Sequence, residues 1–178
     1  MALMDLADGS LKAQSESEML CGALKVHTQR HTLYPPFFSR VDDLPDLEWN
    51  RLEFGSAERQ NVPKKKGLYA FVLEVKHKNL MANSYVLYVG KAGDVGNSNT
   101  LYMRYGDYLA NLRRMDRPRI SEMLRRYDGY LSYYYATVAD GVSTGDIEKN
   151  LLDILIPPFN TNDFTPELKG YLKGADLL

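Results

Sequence analysis

"GLYAFVLEV" at residues 67–75 and "YVLYVGKAG" at residues 85–93 decide the fold. Both stretches are rich in β-branched and aromatic residues, so we predict strands at 68–75 and 85–90. The short connection between them favours an antiparallel pair. Each strand also carries a tyrosine beside a glycine, and glycine weakens a strand interior. Strand formation alone therefore does not account for the two tyrosine–glycine pairs.

Apolar periodicity and capping residues predict the elements that follow. Leucine and tyrosine recur at helical spacing after Thr100, which could cap that helix, and Ser143 and Asp146 have the spacing of a capping box. We therefore predict a β-β-α-α-β-α order and a mixed α+β fold, in which helices flank a small antiparallel three-stranded sheet. The later elements are helices within 100–114, 117–129 and 143–160 and a strand at 130–138.

Charge divides the chain near residue 60. Residues 1–60 hold six Lys and Arg against ten Asp and Glu, whereas residues 61–178 hold sixteen against thirteen. We predict an N-terminal extension at 1–60, partly flexible or used in contacts with a subunit or DNA, and a folded domain at 61–178. Within the extension, the stretch 42–55 is a short helix candidate that Gly55 could end.

Composition excludes several classes of protein. Cys21 is the only cysteine, so no intrachain disulfide and no cysteine-based zinc site can form. No run of about 18 apolar residues is present, so we expect no membrane-spanning helix. The N-terminus lacks the pattern of a secretory signal, and a reducing, cytoplasmic location is expected.

A basic patch follows the second predicted strand. Residues 104–126 contain seven arginines against three acidic residues. Phosphate binding depends on local charge, so this patch predicts a nucleic-acid contact more directly than the net charge of the chain does. A solvated helix face is the alternative reading. The candidates for nucleic-acid binding are Arg113, Arg114, Arg117, Arg119, Arg125 and Arg126. They cannot all face one way, and we expect some of them to contact phosphates.

The tyrosine–glycine pairs belong to a longer ordered set of residues. "GLY" at 67–69 and "YVG" at 88–90 are followed by a helix with arginine and tyrosine four apart, and then by glutamate and asparagine twelve apart. Over roughly 67–160 this order resembles the GIY-YIG nuclease family, although the gap between the two signatures is longer than in its compact members. The matching residues are Tyr69, Tyr88, Lys91, Arg104, Tyr108, Glu148 and Asn160.

The resemblance implies a metal-dependent endonuclease that hydrolyses phosphodiester bonds in DNA. Glu148 offers a hard oxygen ligand suited to Mg²⁺ or Mn²⁺. Lys91 and Arg104 can neutralise phosphate, the arginine through its planar fork and the lysine as a point charge. These three residues therefore supply the charges that phosphodiester hydrolysis requires.

The resemblance assigns the tyrosines to water activation and phosphate contact. Either Tyr69 or Tyr88 is the expected general base, and the residues alone do not choose between them. Tyr108 is expected to hydrogen-bond the phosphate. Packing is the alternative role for each tyrosine. The supporting residues are Gly67, Gly90 and Asn160, of which Asn160 is expected to tie the chain to the sheet through backbone hydrogen bonds.

Substrate and assembly are less determined than the reaction. Double-stranded DNA is the expected substrate, but DNA against RNA, the recognition sequence and the regulation by partners stay open. A single site cuts one strand, so double-strand cleavage would need a homodimer or sequential nicking. The alternatives are a non-catalytic nucleic-acid-binding module and a subunit of a larger nuclease complex with the same fold.

Overall fold

The computed structural model describes residues 2–177, and the side chains of residues 15–177. It divides the chain into two compact units, one ending at Arg30 and the other beginning at His31. The first unit consists largely of helix α1, Ala2–His27. This helix lies within the predicted extension 1–60. The second unit contains the sheet.

The second unit is built on a four-stranded antiparallel sheet. Its strands are β1 (Asn50–Glu53), β2 (Gly67–Val75), β3 (Asn83–Ala92) and β4 (Leu131–Thr137), in the order β1-β4-β2-β3. The mixed α+β class and the antiparallel sheet are confirmed, but the predicted three strands were one too few. β4 pairs with β2 in the centre, and β1 and β3 form the edges.

Strand β1 replaces part of the helix that we predicted within 42–55. Its four residues are mostly exposed, and Leu52 is only half-buried opposite Tyr133 of β4. Backbone pairing with β4 holds this short, exposed edge strand in place. Its sequence therefore does not need the apolar alternation by which a strand is predicted. β1 also lies on the N-terminal side of the predicted domain boundary at residue 60.

Helices cover both faces of the sheet. The helices of the second unit are α2 (Pro35–Phe38), α3 (Leu101–Arg114), α4 (Pro118–Arg126), α5 (Thr144–Leu155) and α6 (Pro166–Gly174), with 3₁₀ turns at Ser39–Asp43 and Ser56–Asn61. The predicted caps are confirmed, since Thr100 accepts a hydrogen bond from the Met103 amide and Ser143 from the Asp146 amide, each at 3.2 Å. These caps fix where α3 and α5 begin.

The alternation of side chains along β2 separates two cores. Tyr69 and Phe71 face α3 and α4, whereas Leu68, Ala70 and Val72 face α5 and α6. The first core is mainly aromatic and the second mainly aliphatic. Strand β3 contributes to both cores, with Leu87, Tyr88 and Ala92 in the first and Val89 in the second.

Candidate functional site

The first tyrosine–glycine relationship is a direct cross-strand contact. Tyr69 of β2 pairs with Gly90 of β3. A Cβ atom placed on Gly90 would lie 2.4 Å from the Tyr69 hydroxyl oxygen and 2.5 Å from the ring carbon that carries it. Glycine is therefore required at position 90 by the ring that crosses it, which explains why the two motifs occur together.

Gly67 has a comparable steric role at the start of β2. It lies between Ala92 of β3 and Thr137 of β4, and a Cβ atom there would come within 2.1 Å of the Ala136 carbonyl oxygen. Gly67 thus permits close packing against the backbone of β4, and Gly90 permits the close approach of the Tyr69 ring.

Tyr69 and Tyr108 form a buried hydroxyl pair. Their hydroxyl oxygens are 2.7 Å apart, and both side chains are fully buried. Burial raises the pKa of both phenols, and it is the largest effect on each. Arg104 lies close enough to lower the pKa of Tyr69 in part. Each phenol therefore stays protonated at neutral pH.

Tyr88 lies beside this pair and is more accessible. Its ring centroid is 6.4 Å from that of Tyr69 and 6.3 Å from that of Tyr108. Tyr88 retains 7% exposure, whereas the other two tyrosines retain none. Of the three phenols, Tyr88 is therefore the one nearest to solvent.

Three charged side chains meet at the end of β3. The Lys91 Nζ atom lies 2.9 Å from Asp94 Oδ2 and 3.8 Å from Glu148 Oε2. Burial raises the pKa of Glu148 to about 7, against the lowering effects of Lys91 and Arg104. The hydrogen bond from Lys91 lowers the pKa of Asp94 to about 2. Asp94 is therefore a stable anion, while Glu148 changes charge near neutral pH.

Arg104 connects the tyrosines to the carboxylate. It acts electrostatically on Tyr69 and on Glu148, which lie on different layers of the sheet. Its Nη1 atom makes a long ion pair of 3.6 Å with Asp107, and its buried Nε atom has no hydrogen-bond partner among the described residues. The Arg104 side chain keeps 30% of its surface exposed, but Nε itself is shielded from solvent.

Asn160 fastens the chain to the open edge of the sheet. Its side-chain oxygen accepts from the Val89 amide, and its side-chain nitrogen donates to the Val89 carbonyl, each at 2.9 Å. The Phe159 amide donates to the Leu87 carbonyl at 3.0 Å. Asn160 therefore makes the backbone hydrogen bonds that we expected of it, next to Tyr88.

The six arginines that are candidates for nucleic-acid binding do not form one set. Arg119 donates to the Pro158 carbonyl at 3.0 Å, and Arg126 pairs with Glu122, so both are engaged in structural contacts. Burial lowers the pKa of Arg117, but the phenols of Tyr108, Tyr88 and Tyr69 raise it, so this exposed arginine lies within electrostatic range of the tyrosines. The exposed remainder consists of Arg113, Arg114 and Arg125.

Sequence reasoning missed two features of the site. Asp94 stands three residues after Lys91 in a loop rich in turn formers, and that loop composition concealed its role. Gly145, in the first turn of α5, lies against the Lys91–Asp94 pair. A glycine inside a predicted helix was the available signal, because glycine costs about 1 kcal/mol there relative to alanine.

The possible metal ligands are few. Within the described part of the chain, no group of three or more His, Cys, Asp and Glu residues is arranged to hold a metal ion. Mg²⁺ often binds one or two carboxylates and completes its shell with water and substrate phosphate. Glu148, with 17% of its side chain exposed next to Lys91, is compatible with that mode of binding.

Comparison with protein-family models, with curated proteins and with solved structures gives no match for this chain. Among residues 2–177, none of the helices has the length and hydropathy that crossing a bilayer requires.

Proposed function

We propose that the chain is a metal-dependent endonuclease of the GIY-YIG type that hydrolyses phosphodiester bonds in DNA. One observation carries the proposal. Residues from four separate segments, Tyr69, Tyr88, Arg104 and Glu148, come together near the end of β3, with Lys91 among them. Packing alone does not require an arginine that acts on three phenols and also on a half-buried carboxylate next to a lysine.

Cations of the site bind the scissile phosphate. Arg104 directs a buried donor with no partner in the described structure, and Lys91 places an ammonium group 3.8 Å from Glu148. Arg117 adds a third positive charge from the N-terminus of α4. Together they offset the negative charge that develops on the phosphate oxygens during hydrolysis.

Tyr88 is the better candidate for the general base. The hydroxyl of Tyr69 is fully buried and hydrogen-bonded to Tyr108, and its pKa is raised by burial. Tyr88 lies within electrostatic range of Arg117 and is nearer to solvent than Tyr69. The phenolate of Tyr88 accepts a proton from the attacking water and becomes the phenol. Tyr69 and Tyr108 contact the phosphate only once the side chains that cover their paired hydroxyls move.

Glu148 holds Mg²⁺ or Mn²⁺ in this proposal. The bound ion supplies charge neutralisation at the phosphate and at the leaving oxygen. Glu148 provides one oxygen ligand and must be ionised to do so, while Lys91 and Arg104 favour the ionised form by lowering its pKa.

Double-stranded DNA is the proposed substrate. The exposed Arg113, Arg114 and Arg125 of α3 and α4 extend positive charge away from the site, as contacts along a duplex backbone require. Cutting both strands would need a homodimer or two successive nicks. A cytoplasmic location accords with the single cysteine.

Plasmid cleavage tests the proposal. Supercoiled DNA is incubated with the purified protein in Mg²⁺, in Mn²⁺ or with chelator, beside the Glu148→Gln variant and the exposed control Glu167→Gln. We expect nicked or linear DNA from the wild type and from the control in metal only. Cleavage by Glu148→Gln at the wild-type rate would exclude the assigned role of Glu148. A wild type that never cuts would overturn the nuclease proposal.

The burial of Tyr69 and Tyr108 favours a second candidate, a non-catalytic nucleic-acid-binding module or a subunit of a larger nuclease complex. A buried hydroxyl pair cannot reach a phosphate without movement. Binding of DNA with a steep salt dependence, in the absence of cleavage under any metal, would support this candidate.

A further inference from the structure

We propose that Asp94 and Gly145 form a seat that holds Lys91 in its working position. Asp94 is then a positioning residue, which acts on the substrate only through Lys91. The consequence for cleavage rests on the proposed nuclease function, but the seat itself is a property of the protein alone.

Asp94 holds Lys91 more closely than Glu148 does. The Nζ atom is 2.9 Å from the Asp94 carboxylate and 3.8 Å from that of Glu148. The Lys91 side chain is partly exposed, so without the nearer partner it would be drawn towards Glu148 or into solvent. Pairing with Asp94 therefore leaves the Glu148 carboxylate open for a metal ion.

The loop fixes Asp94 itself. Its Oδ1 atom accepts from the Val95 amide at 2.9 Å, which leaves Oδ2 for Lys91. Its backbone forms a bridge with Asn97, in which the Asn97 amide donates to the Asp94 carbonyl at 3.0 Å. The carboxylate thus has one orientation that the backbone sets, and Lys91 follows it.

Gly145 provides the surface on which the pair rests. A Cβ atom on Gly145 would lie 2.6 Å from Lys91 Nζ and 2.7 Å from Asp94 Oδ2. The Thr144 hydroxyl donates to the Gly93 carbonyl at 2.5 Å, so the first turn of α5 is tied to the loop that carries Asp94. Glycine at the second position of a helix is unfavourable, and the close approach of the ion pair explains it.

A merely stabilising ion pair is the competing explanation. Partly exposed pairs contribute about 0–1 kcal/mol, so their loss lowers stability slightly and leaves chemistry unaffected. If the seat positions Lys91, Gly145→Ala should instead lower the cleavage rate and leave the stability unchanged. Alanine favours the helix, yet its methyl group displaces Lys91, so stability is kept while the rate falls.

The experiment uses the full chain and compares Asp94→Asn and Gly145→Ala with two controls. Glu167→Gln removes an exposed carboxylate on α6, and Gly170→Ala adds a methyl group in α6 where no atom lies within 4 Å. The first measurement is the NMR signal of the Lys91 ammonium group in the free protein. We expect a protected, slowly exchanging signal in the wild type and both controls, and its loss in the two seat variants. An unchanged signal in Gly145→Ala would overturn the seat, whether or not the protein cuts DNA.

The second measurement is single-turnover plasmid cleavage in Mg²⁺, with DNA affinity measured separately in Ca²⁺. We expect the rate to fall about tenfold in Asp94→Asn and about 10²-fold in Gly145→Ala, with affinity within about twofold of the wild type. Wild-type rates in both seat variants would overturn the positioning role and leave the nuclease proposal intact. If the wild type does not cleave DNA, the nuclease proposal is wrong. The NMR signal of Lys91 would still show whether Asp94 and Gly145 hold the lysine in place.

Discussion

The ring of Tyr69 lies so close to Gly90 that a single methyl group at position 90 would overlap the phenol. This contact joins the two signature motifs through one pair of cross-strand neighbours. Because β2 is a central strand, the ring cannot withdraw without disturbing the aromatic core, which also contains Phe71 and Tyr133.

Gly90→Ala tests this contact. We expect the free energy of unfolding to fall by about 1–3 kcal/mol, since an inserted methyl group forces buried side chains out of their rotamers. Denaturant titration measures the loss, and Gly170→Ala serves as the control because its surroundings are open. Equal stability of Gly90→Ala and the wild type would mean that the ring is not held where we describe it.

Two tyrosine-to-phenylalanine substitutions separate hydroxyl pairing from ring packing. Tyr69→Phe leaves the Tyr108 hydroxyl buried without its partner and should cost about 1–2 kcal/mol. Tyr133→Phe should be neutral or stabilising, because the Tyr133 hydroxyl is buried and has no hydrogen-bond partner among the described residues. Thermal unfolding compares the variants, and a destabilised Tyr133→Phe would reveal a partner that the structure does not show.

Tyr88→Phe tests the general base. The ring remains and only the hydroxyl is removed, so we expect melting within a few degrees of the wild type and single-turnover cleavage reduced by about 10²-fold. The acidic limb of the rate–pH profile should also change. If Tyr88→Phe cleaves normally and Tyr69→Phe does not, the base is Tyr69 and our choice between them is wrong.

The raised pKa of Glu148 predicts a pH dependence of stability. Burial raises the pKa of Glu148 from 4.5 to about 7 in the folded protein. Between these pH values the unfolded chain gives up the proton more readily than the folded chain does, so the free energy of unfolding decreases as the pH rises. Glu148→Gln removes this cost. The variant should therefore gain stability relative to the wild type at pH 8 and lose that advantage at pH 4, with chelator present throughout.

The affinity for Mg²⁺ should rise with pH, whereas the stability contribution of Glu148 falls with pH. Because Mg²⁺ binds the ionised carboxylate, the affinity of the wild type should weaken as pH falls below about 7. Calorimetric titration at several pH values measures this directly. An affinity that is constant between pH 6 and pH 8 would place the metal on other groups.

The arginines should divide into the groups that the structure defines. Neutralising Arg113 or Arg125, which are exposed, should weaken DNA binding for all sequences and lower the salt slope by about one unit for each phosphate that the protein no longer neutralises. Arg117→Gln should mainly reduce the cleavage rate, since Arg117 lies within electrostatic range of the tyrosines. Arg119→Gln should reduce stability because it removes the hydrogen bond to Pro158, and a pure binding effect there would contradict this division.

Strong local patterns made most of the sheet predictable. β2, β3 and β4 are long, β-branched and aromatic, and α3 and α5 carry both apolar periodicity and a capping residue. β1 carries neither signal, because its stability comes from pairing with β4, which lies about eighty residues away in the chain. Tertiary pairing of that kind leaves no local pattern in a four-residue segment.

The site was predictable in its members but not in its arrangement. The motifs indicated Tyr69, Lys91 and Glu148, yet only the fold shows that a buried phenol pair and a lysine–carboxylate cluster are separate parts of the site. Arg117 was grouped with the other arginines because spacing along a helix does not reveal which side chain meets a neighbouring strand. Asp94 was concealed because it stands in a loop rich in turn formers, a composition that does not indicate a side-chain contact.

The attachment of Asn160 to β3 has a consequence for how copies of the protein can associate. The outward amide and carbonyl of Val89 and the carbonyl of Leu87 already have partners within the chain. The C-terminal half of this edge strand therefore cannot accept a strand from a second molecule, and β1 at the opposite edge offers only four residues. Continuous edge-to-edge extension of the sheet is disfavoured, so a dimer that cuts both DNA strands would have to form through helices or loops.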